Sequence, residues 1–455
     1  MAAERNRRAM EQLAKLDGND RCAECRRENP DWVAIVQNLS LAVFVCTECC
    51  GSHRAPGRTY VRTKSIQLDK FDDDEVQLMM ASGNRKSNAI LEKHYHPCFK
   101  RPSSECCPRV LRDQWVTAKY QRHDFKDGSP QPSYLAGCKH GDLFKREKSR
   151  NEYNKRYFEL SESDNTLRYY VKRSDAPKET LILTEINAVL IEDALEIPNG
   201  MHLMYYNPKE NRTRHYYVRS ATGQEIIEWY VAIRHAKAKR LGLYSMGRDE
   251  QWLSMKMSRD FVKTGHLWKT GPKDNRFSKR WFILDQKILY YFERPLDPYA
   301  LNEVVLGHTS EGYRIDEGTT AKTTKAFTMS LTVPSIAGSS GRVYPLAADD
   351  DHQWKLWLDA FRRVMAWLPG QDEAGPIENG SHSPARVLPP SPGAPAHHMA
   401  DRDLPPIPPP RPDLPTGADK NPSPVPSPRP AFTLPRDFGG TQLGMCSSGR
   451  YAQDY

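Results

Sequence analysis

The sequence lacks any long hydrophobic run. Its longest clear apolar stretch, LSLAVFVC at residues 39–46, is far shorter than the ~18 residues that a membrane-spanning helix requires. The first residues, MAAERNRRAMEQLAKL, carry charges but no apolar segment of the kind that a secretory signal contains. These absences argue against a membrane-spanning or secreted protein, and we expect a cytoplasmic chain.

Aromatic residues become scarce beyond residue 370, where proline accumulates instead. Twenty of the 35 prolines lie at Pro369 or beyond. A segment of this composition cannot bury enough apolar surface to offset the entropy that is lost on ordering. We therefore predict that residues 371–455 form a disordered Pro-rich tail.

The charge of the chain is only moderately unbalanced. Lys and Arg number 66 and Asp and Glu number 57, which gives a net charge of +9. Such an excess suits acidic partners: phosphate head groups, nucleic acid or an acidic protein face. The segment RRENPDWVAI is not a basic recognition helix, so we expect no nucleic-acid partner. At the usual ~100–200 residues per domain, the chain has room for about three domains.

The middle of the chain contains an internal repeat. GDLFKREKSRNEYNKRYFEL begins at Gly141 and GHLWKTGPKDNRFSKRWFIL begins at Gly265. Each copy continues into a Tyr-Tyr segment with strand character and ends in a segment with helical periodicity around a central tryptophan, Trp229 or Trp357. This pattern predicts two modules, each mostly strand with one closing helix and a buried tryptophan.

The first part of the chain contains two Cys-x-x-Cys pairs. Cys22, Cys25, Cys46 and Cys49 form the pattern C-x2-C-x20-C-x2-C, which suits four thiolates around a tetrahedral zinc ion. A four-cysteine site has no open coordination position, so this zinc would be structural. The alternative is a group of reduced core cysteines. Arg54 follows closely, and an arginine at such a place is by itself more often a surface charge or a salt-bridge partner.

These motifs together resemble a known family. CAEC, NPDW and FVCTECCGSHR, followed by KSIQLDKF (64–71) and SGN (82–84), resemble the GTPase-activating domain of the Arf GAP family, and the repeats resemble pleckstrin homology (PH) domains. One Arf GAP domain before two PH domains is the order of the centaurin-alpha subgroup. The resemblance implies a multidomain α+β fold with these parts: a four-cysteine zinc-finger Arf GAP domain (7–125), two PH-type β-sandwiches, each with a C-terminal capping helix (134–240 and 260–368), and the tail (371–455).

The resemblance also implies a role for Arg54, which matches the catalytic arginine finger of the family. The chain would supply Arg54 in trans to a GTP-bound Arf-family GTPase and would turn over no substrate of its own. However, the interval between the cysteine pairs is about four residues longer than is usual in that family, and the extra residues fall in VAIVQNLSLAV. The alternative is a catalytically inactive adaptor that links phosphoinositide-containing membranes to SH3-domain proteins.

Basic residues near the start of each repeat suggest phosphate binding, because cations that converge on one cleft bind clustered phosphates. The resemblance implies phosphoinositides or soluble inositol phosphates as ligands and peripheral recruitment to the plasma or endosomal membrane. The alternative is a PH fold that binds protein or nothing specific, and the middle basic position of the family pattern is Asn154 or Ser278 here. The candidate ligand contacts are Lys145, Lys155, Arg156 and Tyr170 in the first copy and Lys269, Lys279, Arg280 and Tyr291 in the second.

The tail contains the sequence RDLPPIPPPRP at 402–412. Its basic and proline residues, Arg402, Pro405, Pro408 and Arg411, match the pattern of SH3 ligands. Pro-rich segments are preformed in the polyproline II shape that SH3 grooves bind. The tail is therefore predicted to bind SH3 domains, and the alternative is a plain spacer.

Overall fold

A computed structural model describes residues 2–366, except 56–58, 104–106, 149, 151, 209, 272–275 and 336–339. The predicted disordered tail and its SH3 motif lie outside the described residues. Within these ranges, no helix is both long enough and apolar enough to cross a membrane.

The first module is a small antiparallel sheet surrounded by helices. Its strands lie in the order β2-β1-β3. Both faces of β1 and β2 are buried, which explains why their sequences, WVAIV and LAVFV, are continuous apolar runs. The elements are α1 (Ala2–Ala14), β1 (Trp32–Val36), β2 (Leu41–Val45), α2 (Thr47–His53), β3 (Val61–Ser65), α3 (Asp73–Ala81), α4 (Gly83–Leu91) and α5 (Arg109–Thr117).

The SGN segment protects the edge strand β2. Asn84 accepts a hydrogen bond from the Phe44 amide at 2.7 Å and donates one to the Phe44 carbonyl at 3.0 Å. Ser82 Oγ likewise accepts from the Ala42 amide at 3.0 Å. These side chains satisfy backbone groups that an edge strand otherwise leaves unpaired.

The two repeats form two sheets of the same topology, as the internal repeat predicts. The first sheet has the order β7-β6-β5-β4-β10-β9-β8 and the second has the order β14-β13-β12-β11-β17-β16-β15, with all pairs antiparallel. The strands of the first are β4 (Cys138–Arg146), β5 (Tyr153–Ser161), β6 (Thr166–Tyr170), β7 (Glu179–Ile182), β8 (Ile186–Leu190), β9 (Gly200–Asn207) and β10 (Arg212–Arg219). Those of the second are β11 (Lys263–Thr270), β12 (Phe277–Leu284), β13 (Ile288–Phe292), β14 (Asn302–Val305), β15 (Arg314–Glu317), β16 (Thr328–Val333) and β17 (Arg342–Ala347).

A C-terminal helix closes each sheet: α6 (Gly223–Arg240) for the first and α8 (Asp351–Ala366) for the second. Trp229 and Trp357 are fully buried, and the edge of each ring meets a phenylalanine of the sheet with centroids 6.2 Å apart in both copies. The predicted core role of the two tryptophans is confirmed. A further helix, α7 (Glu250–Met257), lies between the copies.

The first module and the first repeat share one hydrophobic core. Helix α6 is buried on more than one side, because it packs on its own sheet and also against α5. Polar contacts support this interface: Arg234 donates to the Cys98 carbonyl at 2.9 Å, and the Arg109 amide donates to Asp193 at 3.0 Å. In the described part of the chain, these two modules therefore pack directly against each other.

Candidate functional site

The four predicted zinc ligands converge. Cys22 and Cys25 lie in the loop before β1, Cys46 is the N-cap of α2, and Cys49 lies within α2. Their Sγ atoms all lie within 4.8 Å of one another, and those of Cys25 and Cys46 are 3.6 Å apart. Tetrahedral zinc with Zn–S bonds of ~2.3 Å needs sulfurs about 3.8 Å apart, so this buried cluster fits the ion. Cys50 is buried but does not belong to the cluster.

Arg54 lies at the other end of the same short helix. Its side chain is exposed, its guanidinium lies 4.2 Å from the centre of the Trp32 ring, and its Nε donates to Thr63 Oγ1 at 2.5 Å. Cys46 and Cys49 lie at the start of α2, and Arg54 is the C-cap residue of the same helix, so the seven residues of α2 connect Arg54 directly to the cysteine cluster.

A buried polar network lies against the inner side of α2. His53 and Glu24 are both fully buried, and His53 Nε2 lies 3.3 Å from a Glu24 oxygen. Glu24 also accepts hydrogen bonds from Trp115 at 3.0 Å, Lys119 at 3.0 Å and Tyr120 at 2.7 Å. Burial raises the pKa of Glu24, but the Lys119 ammonium and the hydrogen bond from His53 outweigh it, so this pKa lies below its usual range. Sequence analysis missed Glu24, although it stands inside the motif CAEC.

The longer interval between the cysteine pairs forms part of a regular hairpin. Trp32 pairs with Val45 and Val36 pairs with Leu41, and a short turn at residues 37–40 connects the strands. Side chains alternate between the two faces of a strand with a period of two. If two of the four added residues lie in each strand, each strand grows by an even number of residues. Trp32 and the residues beside Cys46 then keep the same face of the sheet as they would without the addition.

The first repeat gathers a set of cations whose charges are largely neutralised within the protein. Lys145 is buried, and burial together with the nearby Arg214 lowers its pKa to about 8. Arg156 donates to Glu147 at 2.5 Å. Arg214 donates to both oxygens of Glu179, at 2.5 and 2.7 Å.

Within the described residues, the second copy presents the equivalent cations without acidic partners. Lys269 is buried 4.6 Å from the centre of the Tyr291 ring, and burial, followed by the charges of Arg342 and Arg280, lowers its pKa. Among the described residues, neither Arg280 nor Arg342 forms an ion pair. Sequence analysis missed Arg342, which lies far along the chain on β17.

Two substitutions in the repeat explain this difference. Tyr169 pairs with Glu179 across β6 and β7, whereas the corresponding Tyr291 pairs with Asn302. Glu147 has Gly271 as its counterpart in the second copy. The two carboxylates that form ion pairs with Arg156 and Arg214 in the first copy are therefore absent from the corresponding positions of the second copy.

Three of the predicted ligand contacts lie on the opposite face of their strands. Lys155 forms an ion pair with Asp142 at 3.0 Å, and Lys279 forms one with Asp349 at 2.8 Å. Tyr170 donates to Glu159 at 2.7 Å, away from Lys145. The tyrosine beside Lys145 is Tyr169, with its ring centre 5.2 Å from the lysine nitrogen. An error of one residue in a strand moves a side chain to the other face.

Comparisons with known proteins match all three modules. The family described as "Putative GTPase activating protein for Arf" matches residues 7–129, and the PH domain family matches residues 138–238 and 261–366. Arf-GAP with dual PH domain-containing protein 2 of Homo sapiens is 30% identical over 374 residues, which cover 80% of this chain and 94% of that protein. The Mus musculus protein of the same name is 32% identical over 374 residues, with the same shares covered.

Proposed function

Because the chain belongs to the Arf GTPase-activating proteins with dual PH domains, we propose that Arg54 is its catalytic arginine. The first module would insert Arg54 in trans into the nucleotide site of a GTP-bound Arf-family GTPase. The observation that carries this proposal is an exposed arginine at the end of a helix fixed by a buried four-cysteine cluster. Hydrolysis itself takes place in the partner.

The physical reason is the charge that develops during phosphoryl transfer. A guanidinium inserted from outside stabilises the negative phosphoryl oxygens, and such fingers accelerate hydrolysis by roughly 10³–10⁵-fold, or about 4–7 kcal/mol. Leaving the face of Trp32 would cost Arg54 only about 0.5–1 kcal/mol at an exposed site. The contact of Arg54 with Trp32 is therefore no obstacle to insertion.

We also propose that Cys22, Cys25, Cys46 and Cys49 hold a zinc ion. Such an ion would supply structure, because four thiolates leave no open position for a reactant. Together with the Glu24–His53 network, it would keep α2, and therefore Arg54, in one orientation. A finger must be held firmly if it is to assist the transition state.

Tandem PH domains support peripheral recruitment to membranes, and we propose that the second copy provides the stronger phosphoinositide site. Lys269, Arg280 and Arg342 converge there without acidic partners among the described residues, beside the Tyr291 ring. The first copy would bind the same phosphate-rich head groups more weakly through Lys145 and Arg156, because a ligand must first displace Glu147. Soluble inositol phosphates carry the same chemistry and would occupy the same site.

The experiment is single-turnover GTP hydrolysis by an Arf protein on liposomes, with and without phosphatidylinositol 3,4,5-trisphosphate. Arg54→Lys should abolish the acceleration, because a lysine ammonium lacks the planar fork of donors. Arg8→Lys is the matched control, since Arg8 is an exposed arginine on α1. No acceleration by a zinc-loaded wild type that still binds the liposomes would contradict the proposal and would favour the adaptor function.

That adaptor function includes the tail, for which we propose SH3 domains as partners of the Arg402–Arg411 segment. Binding of an SH3 domain to a synthetic peptide of residues 400–414 would test this by calorimetry. Replacement of Arg402 and Arg411 by alanine should weaken the binding, because the flanking arginine pairs with the acidic rim of SH3 grooves. A peptide that binds equally well without the two arginines would contradict this assignment.

A further inference from the structure

A second group of metal-binding side chains lies between the first module and the first PH copy. His96 and Cys98 belong to the loop after α4, and His235 belongs to α6. One ligand atom from each of the three residues lies within 4.8 Å of the others. His96 Nδ1 is 2.9 Å from Cys98 Sγ, and the rings of His96 and His235 meet edge to face with centroids 5.1 Å apart.

The group is distinct from the four-cysteine cluster in position and in composition. Cys98 is fully buried, His235 is 4% exposed, and His96 is half-buried. No sequence spacing joins these residues, because His235 comes from a different module and reaches the loop only through the packing of α6 against the first module. The site is visible only in the folded chain.

The chemistry of the group suits a metal. Imidazole and thiolate are both common zinc ligands in proteins. The Tyr244 hydroxyl lies 3.0 Å from His235 Nδ1.

Such a hydrogen bond restricts the orientation of an imidazole ring that binds a metal. We propose that His96, Cys98 and His235 bind a zinc ion that links the first module to the first PH copy. Two imidazole nitrogens and one thiolate are ligands that zinc prefers, with the fourth tetrahedral position left to solvent at the half-buried His96 side. Tetrahedral zinc places such ligand atoms about 3.4–3.6 Å apart, so small side-chain rotations suffice. Binding displaces the Cys98 thiol proton into solvent.

A zinc ion at this site would strengthen the connection between the first module and the first PH copy. The loop that carries Cys98 already accepts a hydrogen bond from Arg234 of α6 at its backbone carbonyl. A zinc ion would add a coordinate link beside this contact. It would fix the orientation of the first module relative to the membrane-binding repeats. This role is independent of whether Arg54 is catalytic.

The test is the zinc content of the full-length protein, measured by inductively coupled plasma mass spectrometry after exhaustive desalting. The wild type should hold one more zinc ion per chain than the four-cysteine cluster accounts for. Cys98→Ser and His235→Ala should each lose that ion and keep the other. Cys138→Ser is the matched control, because Cys138 is an exposed thiol outside both groups, and it should lose none.

A cobalt-substituted protein provides a second readout. The thiolate-to-cobalt absorption should fall in Cys98→Ser by about a fifth, since one of five coordinating thiolates is removed. If His235→Ala loses its fold by circular dichroism, the half-buried His96→Ala replaces it. A wild type with a single zinc ion, or a second ion that persists in Cys98→Ser and His96→Ala, would overturn the proposal.

Discussion

The difference between the two PH copies can be tested by exchanging one residue. In the first copy Glu179 forms an ion pair with Arg214, whereas the residue at the corresponding position of the second copy is Asn302. Asn302→Glu should place a carboxylate beside Arg342 in the second copy. Affinity for an inositol phosphate should then fall, because the ligand must displace this carboxylate before Arg342 can bind it.

The magnitude follows from the ion pair of the first copy. Arg214 Nη1 lies 2.5 and 2.7 Å from the two oxygens of Glu179, and the two side chains are 8% and 23% exposed. A hydrogen bond to a charged partner with such burial contributes about 1.5–3 kcal/mol. Each 1.4 kcal/mol changes Kd about tenfold, so we expect a loss of about 10-fold to 100-fold.

The assay is isothermal titration calorimetry of the full chain with the soluble head group of phosphatidylinositol 3,4,5-trisphosphate. Arg156→Gln in the background reduces binding by the first copy, so that the titration reports the second. Val305→Glu is the matched control: Val305 is 61% exposed and lies on the same strand as Asn302, three positions away and therefore on the opposite face. It should leave the affinity unchanged.

The reverse exchange completes the comparison. Glu179→Asn, in a background of Arg280→Gln, should free Arg214 and strengthen binding by the first copy by a similar factor. Equal losses in Asn302→Glu and Val305→Glu would refute the reasoning, because the effect would then be one of net charge and not of local pairing. So would an unmodified first copy that binds more tightly than the second.

Three further predictions concern stability. Glu24→Gln should lower the free energy of unfolding by about 3 kcal/mol, because it leaves the buried Lys119 with one carboxylate fewer; urea unfolding would show this, and the exposed Glu28→Gln should have little effect. The pKa of His215 is lowered to about 3 by burial, and that of His202 is lowered as well. The unfolded chain therefore binds more protons below pH ~6.5, and stability should fall from there toward pH 3. His215→Phe should reduce that slope in urea titrations at pH 7 and pH 5. Chelation of zinc from the four-cysteine cluster should unfold the first module, visible as lost protection in hydrogen exchange, and unchanged protection would contradict a structural role.

Local patterns were the most informative part of the sequence. The two Cys-x-x-Cys pairs predicted a four-cysteine cluster because ligands of one zinc knuckle are close in sequence. The internal repeat predicted two sheets of one topology because the same alternation recurs along both copies. Arg342 and Glu24 were missed for a common reason: each acts through partners that are distant along the chain. Tyr169, and not the predicted Tyr170, lies beside Lys145, because the sequence pattern indicates the strand but not which of two adjacent residues faces the lysine.

What the sequence by itself determined is the set of modules: a cysteine-rich first module with Arg54 close behind its last ligand, two repeats closed by Trp229 and Trp357, and a Pro-rich tail. Spacing, periodicity and composition are local properties, and they persist whatever the chain does elsewhere. Only the tertiary structure decided which arginines of the two copies remain available to bind phosphate groups. It paired the arginines of the first copy with Glu147 and Glu179, and it joined the first module to α6 in one core. The pairing of Arg214 with Glu179 and the burial of α6 depend on residues from distant parts of the chain. The pairing of Arg156 with Glu147 depends on which side chains on and just beyond two neighbouring strands face each other.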